Sequence, residues 1–148
     1  MSRFVRPDTT TLKISQGDTL VVKRRLNAGE QRAAFARMAT AGVDGELRVN
    51  SMNVGLSLIV AYLVDWSLVN DDGQIVVIRD QSPDAVAAAL DELDPVSFAE
   101  IRDAVEQHDV NVRKEREQEK NAQDGAIGSS AISPSLADVT GGTSGLVN

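Results

Sequence analysis

The first apolar alternation falls at Leu12, Ile14, Leu20 and Val22, inside two β-branched runs, Thr11–Ile14 and Thr19–Lys23. Apolar side chains at every second position give a strand one face to bury. Ser15-Gln-Gly-Asp18 separates the runs, and Gly17 suits a turn that needs positive φ, so this segment is predicted to be a β-hairpin. The period then lengthens. Asn27-Ala-Gly-Glu30 has the spacing of a capping box, with Asn27 accepting from an orphan N–H while Glu30 reaches back to the cap. A helix is expected from about Ala28 to Ala41, burying Phe35 and Met38, with Gly42 ending it. Glu46–Asn50 reads as a third strand with Leu47 and Val49 on one face.

The most apolar stretch runs from Val54 to Val64, with Asn53 as its expected cap. Leu56, Ile59, Val60 and Leu63 follow helical spacing, while Leu58 and Val64 fill other faces. A helix apolar nearly all round belongs at the centre of a core. It is also far short of the roughly 20 apolar residues of a membrane span. Trp66–Val69 and Gln74–Ile78 flank Asn70-Asp-Asp-Gly73 and predict a second hairpin.

Ser82-Pro83 and Asp94-Pro95 are two helix starts of one kind, a capping side chain followed by proline at the first helical position. The first opens a short helix using Val86, Leu90 and Leu93. The second opens a longer one with Phe98, Ile101, Val105, His108 and Val112 in a single stripe, suited to docking on the domain. Beyond Val112 the stripe stops. Residues 113–121 are charged on every face and extend the helix, and 122–148, rich in Gly, Ser and Ala, are expected to be disordered. The expected organisation is therefore a folded α+β domain over 1–112, a charged helical extension over 113–121 and a tail over 122–148. Its fold class is α+β, a small N-terminal β-hairpin or sheet with a mainly helical core.

Composition changes this picture in two ways. Only five residues are aromatic, Phe4, Phe35, Tyr62, Trp66 and Phe98, so the core rests mainly on Val, Leu, Ile and Ala. Charge is polarised along the chain. Residues 1–50 hold nine basic and five acidic side chains (net +4), residues 51–112 two and twelve (net −10), and residues 113–148 four and five (net −1). A bipolar domain of this kind is suited to head-to-tail self-association or to a basic partner. The candidate interaction residues are Arg3, Arg6, Lys23, Arg24 and Arg25 on the basic side. Asp71, Asp72, Asp84, Asp91 and Glu92 are those on the acidic side. The basic group is small and lacks interleaved aromatics, which argues against nucleic-acid binding.

Catalytic chemistry finds little support. His108 is the sole histidine and lies in a packing stripe, where a catalytic imidazole would need an orienting carboxylate and a nucleophile. Asp71 and Asp72 beside Gly73 lack the alternating oxygen ligands of a calcium loop. Gly141-Gly142 has neither the preceding strand nor the following lysine of a phosphate loop. There is no cysteine for a disulfide or thiolate site, which is compatible with a reducing compartment, and no secretory h-region at the N-terminus. No enzyme, metal or cofactor is expected. Trp66, the only tryptophan, is a core anchor first and an interface anchor second.

Several of these features recur together. They are an Arg- and Pro-containing start with a hairpin, a capped helix, Ala61-Tyr-Leu-Val-Asp-Trp-Ser-Leu68, an Asp-Asp-Gly turn and a Pro-started helix. Phe98-Ala-Glu-Ile-Arg-Asp-Ala-Val105, the single His and the run Lys114-Glu-Arg-Glu-Gln-Glu-Lys120 before a Ser/Gly tail complete the order. Over about residues 3–148 the chain resembles tail assembly chaperones of long-tailed (siphovirus-type) bacteriophages, especially those infecting actinobacteria. The resemblance implies a non-enzymatic protein of the host bacterial cytoplasm that binds and solubilises the tape measure protein. It also implies help for the major tail protein in polymerising around it, and absence from the mature virion. A longer product made by programmed frameshifting often accompanies such chaperones. The competing expectations are a minor virion component of the neck, connector or tail, and a small regulatory binding protein.

Overall fold

The computed structural model describes the backbone of residues 2–147 and the side chains of residues 2–124. The architecture is α+β: a small antiparallel sheet at the N-terminus and a mainly helical remainder. The chain divides into two units, Met1–Val110 and Asn111–Asn148. The tail expected over 122–148 lies, from residue 125, outside the described side chains.

Strands β1 (Thr9–Lys13) and β2 (Thr19–Lys23) form the predicted hairpin, paired from Thr9↔Lys23 to Lys13↔Thr19. A 3-10 turn at Ser15–Gly17 joins them, with Gln16 and Gly17 both at positive φ, 60° and 81°. β2 is the central strand, because β5 (Leu63–Trp66) pairs on its other edge. The β2–β5 register shifts between Val21 and Val22: Val21 faces Asp65 but Val22 faces Leu63, leaving Val64 as an extra residue. In a regular strand Leu63 and Trp66, three apart, would point to opposite faces. The bulge turns both inward, and they are 6% and 5% exposed.

That pairing corrects the expected end of the apolar helix. Helix α2 (Ser51–Tyr62) stops at Tyr62, and the next four residues are strand. Its cap is Asn50, whose side chain accepts from the Met52 N–H, three residues earlier than the expected Asn53. Its central place does hold, since no residue from Asn53 to Leu68 is exposed. β5 also takes Trp66 from the expected second hairpin, which is reduced to a bridge between Val69 and Ile75 around the Asn70–Gly73 turn. Gly73 adopts φ 76° there, and the Asn70 carboxamide oxygen accepts from the Asp72 and Gln74 N–H groups.

Helix α1 (Ala28–Met38) begins on the predicted capping box, with both the Asn27 and Glu30 side-chain bonds formed at 2.9 Å. It ends three residues early. Ala39–Ala41 is β3, paired with β4 (Leu47–Val49) in a separate two-stranded sheet. Strand pairing overrides alanine's helical propensity here. The expected burial of Phe35 is also wrong: it is 58% exposed, and Ala34 takes the core position.

Helices α3 (Pro83–Asp91) and α4 (Pro95–Val147) start where the Ser-Pro and Asp-Pro pairs predict. Ser82 Oγ accepts from the Ala85 N–H, and Asp94 accepts from the Val96 and Ser97 N–H groups. Of the α4 stripe, Ile101 and Val105 are fully buried beside Leu20, Val22, Ile59 and Tyr62. His108 takes the packing role expected of it. Its Nε2–H donates to the Lys23 carbonyl at 2.9 Å, and its ring meets Tyr62 edge-on at 5.2 Å. The Tyr62 hydroxyl in turn donates to Asp109.

Candidate interaction site

The turn of the first hairpin, the Val69–Val76 hairpin and the α3–α4 junction enclose a cleft of about 620 Å³. Each wall is fixed locally. Glu100 on α4 accepts from the Ser15 N–H at 2.6 Å and the Ser15 hydroxyl at 2.9 Å, tying the hairpin turn to the helix. The Ser67 hydroxyl donates to Asp18 and accepts from the Thr19 N–H. Trp66 Nε1–H donates to the Val76 carbonyl at 2.7 Å, holding the second hairpin against the sheet.

The floor is apolar, with Ile14, Leu68, Val76 and Leu93 half-buried over the core residues Trp66 and Ile101, while the rim carries Asp18, Asp71, Glu92, Asp94 and Glu100. Five carboxylates and no basic side chain line it. The Asp94 carboxyl is held below the usual aspartate range, chiefly because the Ser97 hydroxyl and then the Ser97 N–H donate to its charged form. It therefore stays negative at any physiological pH. A low-dielectric floor ringed by one sign of charge focuses the field on whatever enters.

Of the acidic residues named from sequence, Asp71 and Glu92 reach this cleft. Asp72, Asp84 and Asp91 are exposed elsewhere and do not line it. Asp18, Asp94 and Glu100 were not singled out as interaction residues. They come from three separate elements, and only the tertiary fold gathers them. Trp66 is the core anchor, buried beneath the cleft floor.

The basic residues lie at the other end of the first hairpin. Arg6, Lys23 and Arg25 line a smaller hollow of about 230 Å³ together with Val5 and Pro7. Lys23 pairs with Glu30 at 2.8 Å. Arg24 is exposed, and its N–H ties the arm down by donating to the Asp8 carbonyl at 2.8 Å. Before Asp8 the chain is an exposed arm carrying Arg3, Phe4 and Arg6, with Phe4 88% exposed.

A third surface was not anticipated. In the β3–β4 sheet the register places Ala39, Ala41, Leu47 and Val49 on one face and Thr40 and Arg48 on the other. Neither face is covered, and the apolar one leaves Leu47 74% and Val49 59% exposed. Val43 in the turn is fully exposed, and Met52, in the first turn of α2, is 87% exposed. Alternation at 47 and 49 was readable, but the absence of a covering element was not.

Among the described residues there is no group of three or more His, Asp or Glu side chains placed to hold a metal. No helix among them is long and apolar enough to cross a membrane. Neither a protein-family profile, nor a curated protein, nor a solved structure matches the chain.

Proposed function

We propose that this protein is a tail assembly chaperone of a long-tailed bacteriophage, which holds the tape measure protein soluble in the host cytoplasm while the major tail protein assembles around it. The observation that carries the reading is the uncovered apolar face of the β3–β4 hairpin with its neighbour Met52. A chaperone for a long helical client needs a shallow apolar surface held open by a rigid domain, and contiguous exposed apolar patches mark interaction sites. Two-stranded sheets are marginal alone, so this one is maintained by its attachments. The Asn50 N–H donates to the Met38 carbonyl, and Asp44 pairs with Arg48 at 3.0 Å across the hairpin. Methionine and branched aliphatic side chains adapt to varied partners without directional demands. The order of sequence features supports the same reading. It carries with it absence from the mature virion, a longer frameshifted companion and no catalytic activity.

The test is co-expression with the tape measure protein of the same phage. The client should move from the insoluble to the soluble fraction when this chain is present. A tape measure protein equally insoluble with and without it removes the reading. Mass spectrometry of purified virions separates the chaperone from a retained neck, connector or tail component, which would be present at stoichiometric levels.

A further inference from the structure

The arm and the cleft are complementary, and they sit at opposite ends of one hairpin. The arm, Ser2–Pro7, presents an aromatic side chain between two arginines. The cleft presents an apolar floor between carboxylates, with no cation of its own among its lining residues. We propose that the N-terminal arm of one copy docks into the acidic cleft of a second copy. Phe4 lies over the floor formed by Ile14, Leu68 and Leu93, and Arg3 and Arg6 face Asp71, Glu92 and their neighbours.

The occupant is a second copy because the arm cannot serve its own cleft. Asp8 is fixed beside Arg24, and Val5, Arg6 and Pro7 line the hollow at the Lys23 end. The floor at Ile14 lies six residues beyond Asp8 along the hairpin, about 20 Å at strand rise. Four residues of fully extended chain from Asp8 back to Phe4 span about 14 Å. An arm folded back along its own hairpin falls short. Donor and acceptor on opposite ends of one rigid element make the contact heterologous, and such contacts propagate as open chains unless the rotation closes. The energetic division follows from the chemistry: a desolvated aromatic anchor supplies a hot spot, and the charges supply steering and salt sensitivity.

This inference stands apart from the chaperone reading, because it is tested on the full-length chain alone. Sedimentation velocity over a concentration series at about 50 mM and about 500 mM salt, where the screening length falls several-fold, reads the association. The wild type should form species that grow with concentration at low salt and shrink at high salt. Phe4→Ala should weaken association about tenfold or more, as loss of a hot-spot anchor does. Arg3→Glu/Arg6→Glu and Asp71→Lys/Glu92→Lys should each abolish growth while leaving circular dichroism unchanged, because all four positions are exposed. Mixing those two double variants is the decisive arm. One keeps an intact cleft and the other an intact arm, so together they should form a 1:1 complex that does not extend. A wild type that stays monomeric, association indifferent to Phe4→Ala, or a mixture that stays monomeric overturns the proposal. None of those results would alter the co-expression outcome for the tape measure protein.

Discussion

The two sheets of this protein are built from similar alternation and put to opposite use. In β2, Leu20 and Val22 are fully buried, covered by α2 and α4. In β4, Leu47 and Val49 occupy the same kind of alternating positions and face outward. An isolated run of apolar, polar, apolar residues specifies a strand with one apolar face. It does not specify what covers that face. For β2 the cover is supplied within the chain. For β4 we propose that a client supplies it.

The largest effect that separates the two sheets is on stability. Leu20→Ala should cost about 2–5 kcal/mol, because a filled core site loses both transfer energy and packing. Leu47→Ala should stay within about 0.5 kcal/mol. Chemical denaturation of both variants checks this, and comparable losses would mean that the β3–β4 face is covered in solution. Next is Trp66→Phe, which keeps most of the packing but removes the Nε1–H bond to Val76. Loss of this partly buried bond should cost about 0.5–1.5 kcal/mol, and amide exchange should speed up around Val69 and Ile75 more than in β1. Asn27→Ala removes one half of the capping box and should cost about 1 kcal/mol. That loss sharpens the comparison if exchange rises in α1 and β3 together while β2 stays protected.

The smallest effect is a pH dependence at the α3–α4 junction. The native Asp94 carboxyl is depressed by its bonds to Ser97, so on acidification the unfolded chain takes up that proton before the folded one does. The contribution is complete above the ordinary aspartate range and is lost as pH falls through the lowered native value. Asp94→Asn should flatten the acid limb of the stability profile. An acid limb identical in the variant and the wild type would remove Asp94 as its source.

Much of the fold was legible in the sequence where the signal is local. The Asn27–Glu30 box, Ser82-Pro83 and Asp94-Pro95 each carry their own chemistry, and three helices begin where they say. The missed boundaries are those set by distant partners. From Val54 to Trp66 no proline marks a break, and the one glycine, Gly55, lies near the start, packed closely against Arg102 of α4. What ends α2 at Tyr62 is the availability of β2's open edge. Likewise Ala39–Ala41 leaves the helix to pair with β4. Asn50 and Asn53 are equivalent caps by type, and only the position of the preceding strand selects the first. The site divides in the same way. Charge polarity along the chain named Asp71 and Glu92, while Asp18, Asp94 and Glu100 join them through contacts such as Ser15 with Glu100, 85 residues apart.

We propose that the uncovered apolar face of β3–β4 binds the client. The most direct measurement is the soluble fraction of the tape measure protein, co-expressed with the wild type or with Leu47→Ser/Val49→Ser. The client should be soluble with the wild type and insoluble with the double variant, whose own melting temperature should be little changed because both side chains are exposed. Equal solubilisation by both proteins would contradict the proposal.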